Sequence, residues 1–142
     1  MPGTLYIDIV SPDGSVFRGE ARALKAPGVE GSFEVLYNHA PMIAAIDIGP
    51  LVVVDPSGEE IAFATSGGFV EVLNNTVTVL AETAEPASAI DVERARAAEQ
   101  RALERLQSAA PGIDRERAQR ALERARNRLR VAMGRVGTRV TT

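Results

Sequence analysis

The sequence predicts an α+β protein in strict sequence order: an N-terminal all-β sandwich followed by a C-terminal antiparallel two-helix hairpin. Three observations carry that reading. Turn signals recur about every 8–12 residues through the first half, with short β-branched runs between them. At Ile90 the apolar period changes from two to between three and four, and Ala, Glu, Arg and Leu take over. The charge divides at the same place. Residues 1–89 hold 12 acids against 3 bases, a net −9, whereas residues 90–142 hold 7 acids against 13 arginines, a net +6. The expected units are a sandwich domain over 1–86, a hairpin domain over 87–133 and a flexible tail over 134–142. A split of this kind predicts two parts facing different partners.

The elements follow in order. Leu5, Ile7 and Ile9 alternate with Tyr6, Asp8 and Val10 before the turn Ser11-Pro12-Asp13-Gly14, and Val16 to Ala23 returns. Leu51–Val54 and Ile61–Thr65 flank Asp55-Pro56-Ser57-Gly58, a hairpin signature. Phe69–Leu73 and Val77–Leu80 flank Asn74-Asn75-Thr76, another. Gly67-Gly68 reads as a β-turn or bulge. Pro111-Gly112 then separates two helices expected over about 91–109 and 114–133, with Asp91 and Asp114 as N-caps. The two helices repeat each other at an offset of 23, with ten identities in 17 positions. On each, small residues line one face: Ala95, Ala98, Ala102 and Leu106, then Ala118, Ala121, Ala125 and Leu129. Such faces let two helices approach closely.

Composition narrows the function. Of 142 residues, 45% are hydrophobic and only 4% aromatic, so the core is aliphatic. No run approaches the roughly 18 apolar residues of a membrane span, and MPGTLYIDIV lacks the pattern of a secretory signal; a cytoplasmic protein is expected. The absence of cysteine excludes disulfides, zinc–thiolate sites and thiol catalysis. His39 is the single histidine and has no nucleophile beside it in sequence. No Gly-rich loop ends in Lys-Ser/Thr, and Glu59-Glu60 reads as a solvated hairpin edge. A non-enzyme without metal is expected. The hairpin gathers Arg94 and Arg101 near Arg124 and Arg128. Their excess charge suits a polyanion, because arginine forks match phosphate oxygens; the plainer reading is a solvated basic face.

Three stretches and the hairpin resemble the epsilon subunit family of the bacterial rotary ATP synthases. Residues 6–14 (YIDIVSPDG) resemble its first strand and turn. Residues 31–41 (GSFEVLYNHAP) resemble its Gly-x-x-Gly-x-x-Pro-x-His-x-Pro loop, with Glu34 and Tyr37 where the family has Gly and Pro. Residues 66–72 (SGGFVEV) with 77–82 (VTVLAE) resemble its most recognisable segment. The similarity runs from about residue 4 to 133. The resemblance implies a rotor subunit on the central stalk of a proton-translocating F-type ATP synthase, peripheral to the cytoplasmic face of the inner membrane. Its partners would be the gamma subunit, the c-ring and, when the hairpin extends to inhibit ATP hydrolysis, the catalytic beta subunits.

The family's Ile/Leu-Asp-x-x-Arg-Ala motif implies regulatory ATP at Ile90, Asp91, Arg94 and Ala95, with Arg101, Arg124, Arg128 and an acid at Glu82 or Glu85. The linker between Glu82 and Ile90 is a few residues longer than in ATP-binding relatives. Glu30, Gly31, Ser32, Asn38 and His39 would face the c-ring and gamma. Arg115, Arg117, Arg120 and Arg124 would meet the catalytic head. The competing readings are a nucleic-acid binder, for which the hairpin lacks an aromatic stacking platform, and a free-standing nucleotide sensor.

Overall fold

The computed structural model describes residues 3–108 and 110–135. Eight strands precede two helices: β1 Leu5–Ser11, β2 Gly14–Ala21, β3 Ala23–Ala26, β4 Phe33–Leu36, β5 Met42–Val54, β6 Glu60–Leu73, β7 Thr76–Ala81 and β8 Ala84–Pro86, then a short 3-10 turn at Ala87–Ala89, α1 Val92–Gln107 and α2 Arg115–Ala132. The hydrogen-bonded order is β2-β1-β7-β6-β5-β3-β4, with β8 also on β6. All pairings are antiparallel except β1 with β7.

Two long strands turn this path into a sandwich. Strict alternation keeps side chains of one parity on one face, yet in β6 both Phe63 and Val70 belong to the core, and in β5 both Ile46 and Leu51 do. The inward parity therefore switches within each strand. The switches face each other, because Ile46 pairs with Gly68, Ile48 with Ser66 and Gly49 with Thr65. At this bend β5 and β6 pass from one layer to the other. One layer contains β2, β1, β7 and the adjoining halves of β6 and β5; the second contains β8, the other halves, β3 and β4. Leu5, Ile7 and Ile9 of β1 meet Leu51, Val53, Val70, Val72, Val77 and Val79 between the layers, an aliphatic core as the composition requires.

The bend explains where the sequence reading falls short. Residues 42–50, to which the sequence reading assigns no element, are the first part of β5, and Pro50 follows directly on the bend, where its missing N–H is tolerated. Phe33–Leu36, read within a loop, is a strand on β3. The stretch from Val16 to Ala23 divides, with Arg22 separating β2 from β3. The Asp55 turn joins β5 to β6 as expected. Its carboxylate accepts from the Ser57 hydroxyl at 2.6 Å and from the Ser57 and Glu59 amides at 2.9 Å each. Those bonds, the Ser57 hydroxyl first, hold its pKa below the ordinary aspartate value.

The helices start where their caps stand. Asp91 accepts from Arg94 N at 3.1 Å and Asp114 from Arg117 N at 3.0 Å. The Arg115 guanidinium returns across the Pro111-Gly112 turn to the last α1 carbonyls, 2.6 Å from Leu106 O and 3.2 Å from Ser108 O, satisfying acceptors that a helix end leaves open. Ala95, Ala102, Ala118, Leu122 and Ala125 are buried at or beside the helix seam. Of the tail, only Gly134 and Arg135 lie among the described residues.

Gly68 tests the bend. Its φ is +142°, and a Cβ there would overlap the Leu80 carbonyl oxygen of the neighbouring strand. Gly68→Ala should cost about 2 kcal/mol or more in urea unfolding. A variant as stable as the parent would show that the bend tolerates a side chain.

Candidate functional site

The hairpin lies against the second layer at the bend, and α2 makes the contact. Ile90 and Val131 cover Ala64 in a small apolar cluster. Above it, the buried Asn127 amide donates to Gly49 O at 2.8 Å and to Thr65 O at 3.3 Å, the carbonyls of a cross-strand pair. Arg130 Nη2 donates to Asn127 Oδ1 at 3.3 Å, so both ends of the amide are engaged. Two ion pairs flank this contact. Arg120 lies 3.4 Å from Asp47. Arg128 Nη2 donates to Glu85 Oε2 at 3.2 Å. Arg128 Nε lies 2.7 Å from Glu85 Oε1, but its N–H points off that line, so this second contact is electrostatic and the buried Nε–H forms no hydrogen bond.

The residues expected around ATP separate into three groups. Ile90 and Ala95 are buried in packing, at the apolar cluster and the helix seam. Asp91 is committed as the α1 N-cap. The arginines are the remaining group. Arg124 and Arg128 line a cavity of about 170 Å³ with Ser66, Thr83 and Glu85. Arg94 and Arg101 are exposed on α1. The Arg126–Glu99 pair at 3.1 Å sets the helix register, which puts Arg101 level with Arg124 and Arg94 level with Val131. Glu82 is exposed, and its backbone N–H bonds to Gly67 O at the bend. The acid that reaches the cluster is Glu85. The cavity is smaller than the roughly 300 Å³ of the smallest usual ligand pockets. A wider cleft of about 830 Å³ opens on another side of the hairpin, between Ile48, Leu129 and Arg96, and contains none of these residues.

The other two expected sites lie elsewhere. Glu30, Gly31 and Ser32 are exposed between β3 and β4, where Val29 N bonds to Ala45 O. Asn38, at φ 65°, bonds through its N–H to Asn75 Oδ1 at 2.6 Å in the β6–β7 turn, and His39 Nδ1 sits 2.7 Å from Ala40 O. Of the four arginines assigned to the catalytic head, Arg115 caps α1 and Arg120 pairs with Asp47, whereas Arg117 and Arg124 are exposed. Asn127 is the residue that sequence reasoning missed. It departs from the helix repeat, occupying the position that Glu104 holds in the first helix, and is the only asparagine after Asn75.

Replacing Asn127 by Ala removes two hydrogen bonds from buried carbonyls and should cost about 1–3 kcal/mol of docking. The effect is expected as faster amide exchange in α2. Unchanged protection would mean that the amide does not hold the hairpin.

Comparison with known proteins agrees with this two-part build. Residues 4–87 match the family model described as the ATP synthase delta/epsilon chain β-sandwich domain, and residues 88–133 match that of its long α-helix domain. The chain is 60% identical to the ATP synthase epsilon chain of Salinibacter ruber over 147 aligned positions, covering 98% of this chain and 99% of that one. It is 47% identical to the epsilon chain of Desulfitobacterium hafniense over 106 positions, 75% of this chain and 80% of the other. In fold it resembles a chain of the Euglena gracilis mitochondrial ATP synthase, with a TM-score of 0.79 at 24% identity over 89% of this chain and 80% of that chain. A sandwich and an arginine-rich hairpin, both matched in order and nearly end to end, place this chain in the delta/epsilon chain family of the ATP synthases.

Proposed function

We propose that the chain is a non-catalytic central-stalk subunit of a proton-translocating ATP synthase, on the cytoplasmic face of the membrane. In this reading the sandwich couples gamma to the c-ring, with Glu30, Gly31, Ser32, Asn38 and His39 toward the ring, and the hairpin restrains ATP hydrolysis. One observation supports the hairpin's role above others: acids of the sandwich hold arginines of α2, Asp47 on Arg120 and Glu85 on Arg128. The exposed Asp47–Arg120 pair contributes only about 0–1 kcal/mol, the Glu85–Arg128 pair is partly solvated, and the apolar cluster beneath is small. A dock of this kind is separable. Extension would free Arg120 and Arg128 to join Arg117 and Arg124 on one continuous basic helix facing the catalytic beta subunits.

ATP would oppose that extension. Its phosphates would take Arg94, Arg101, Arg124 and Arg128, with Ile90, Asp91 and Ala95 shaping the start of α1. Binding favours the folded hairpin only by the difference in affinity between folded and extended forms. Glu85 occupies Arg128 in the folded structure, so a phosphate must displace it, and the 170 Å³ cavity must widen. Both requirements lower the affinity.

Two measurements test this function. An enzyme assembled with the chain lacking residues 88–142 should hydrolyse ATP faster while keeping synthesis; unchanged hydrolysis would remove the hairpin as the brake. Calorimetric titration of the isolated chain with ATP should give a binding isotherm that Arg94→Ala weakens by about 1.5–3 kcal/mol. No heat at millimolar ATP would leave the arginines as a solvated, acid-paired face.

A further inference from the structure

The cleft of about 830 Å³ beside Ile48 falls within the roughly 300–1,000 Å³ usual for ligand sites. Three elements wall it: Ile48 from β5, Arg96 and Glu99 from α1, and Leu129, Arg130 and Met133 from α2. Ile48 and Leu129 are half-buried and Met133 is exposed, so the floor is aliphatic with an adaptable thioether at its rim. No aromatic side chain lines the cleft, which leaves a nucleobase no ring to stack on.

Charge is graded along the cleft. Four arginines, Arg96, Arg126, Arg130 and Arg135, stand against Glu99 and Glu123. Glu99 is held by Arg126 at 3.1 Å. Glu123 precedes Arg130 by seven residues on α2, about 10 Å along the helix, so the far end is basic. The Glu99–Arg126 register sets Arg96 level with Leu129 at that end, where its one ion pair is with the exposed Glu93 at 3.4 Å. Arg130 faces two ways. Its Nη2 donates to the Asn127 amide that anchors α2 on the bend, and its remaining N–H groups are available to an anion in the cleft.

We propose that this cleft binds a free aliphatic carboxylate, with the carboxylate on Arg96 and Arg130 and the chain over Ile48, Leu129 and Met133. The bound ligand holds the hairpin against the sandwich. Its contact with Ile48 exists only while the hairpin is docked, so it binds the docked form better and shifts the population by that difference. The arginines assigned to ATP lie outside this cleft, so the two ligands act separately. On the brake reading above, and resting on it, an occupied cleft keeps the hairpin from the catalytic head without ATP.

The test is calorimetric titration of the full chain with decanoate below its micelle concentration, beside acetate as the head group alone. Decanoate should bind at least tenfold more tightly than acetate, and Arg96→Ala should weaken it about tenfold. Arg105→Ala removes an equal charge outside the cleft and should bind as the parent does. Both altered side chains are exposed, and equal thermal melting separates lost contact from lost fold. Decanoate at ten times its Kd should slow amide exchange in α2 about tenfold. No binding by the parent, equal affinity in Arg96→Ala, or unchanged exchange at saturation overturns the site. So does Arg96-dependent binding to phosphatidylglycerol vesicles with none to free decanoate, which would assign the arginines to a lipid surface. Each measurement uses the isolated chain, so a failure here leaves the rotor reading intact.

Discussion

The paired bend in β5 and β6 is the constraint on which the rest of the molecule depends. Two strands of 13 and 14 residues each serve both layers, so one hydrogen-bonded path closes over one core. The bend needs backbone that ordinary residues resist. Gly67 and Gly68 adopt φ of +122° and +142°, and Gly49 lies so close to Pro27 that a Cβ would overlap its ring. The same place offers the carbonyls of Gly49 and Thr65 to the buried amide of Asn127. Sheet closure and hairpin docking thus share one local geometry.

Electrostatics divides the molecule and then rejoins it. The acidic sandwich and the basic hairpin meet through Asp47–Arg120 and Glu85–Arg128. These contacts are partly solvated, so they orient α2 more than they stabilise it. A buried amide provides direction and a small apolar cluster provides adhesion. Arginines held by carboxylates remain available to a stronger anion, because phosphate and carboxylate compete for the same guanidinium fork. The sheet face on the β1–β7 layer is different in kind: it exposes Ile43, Phe69, Leu73 and Leu80, and no described residue covers them. The sandwich therefore presents a polar, releasable contact to its own hairpin and a hydrophobic one to solvent.

Local chemistry was legible wherever one residue type acts on its own neighbours. Asp91 and Asp114 cap helices because their carboxylates reach amides three residues on, and both helices begin where the sequence places them. Leu5, Ile7 and Ile9 face inward because alternation within one strand needs no partner to be read. The small-residue seam follows from the repeat, and Ala95, Ala102, Ala118 and Ala125 are all buried. Along the candidate site, the sequence brought Arg124 and Arg128 together. It could not choose between Glu82 and Glu85, since that choice depends on how β8 aligns with β6.

What the sequence determined alone was the two-part architecture, the position of its boundary in charge and period, and the caps and turns, because these are set by residues within a few positions of one another. The tertiary structure decided the remainder. Gly49-Pro50 and Gly67-Gly68 read as interruptions along the chain, and become a continuous bend only when each strand lies beside the other. Asn127 looks like a poor helix former until two carbonyls 78 and 62 residues away come within reach. Phe69 looks like a core residue until the parity switch within β6 turns it outward, beside Leu80 of β7. In each case the deciding neighbour is distant in sequence, and only pairing across the sheet brings it into contact.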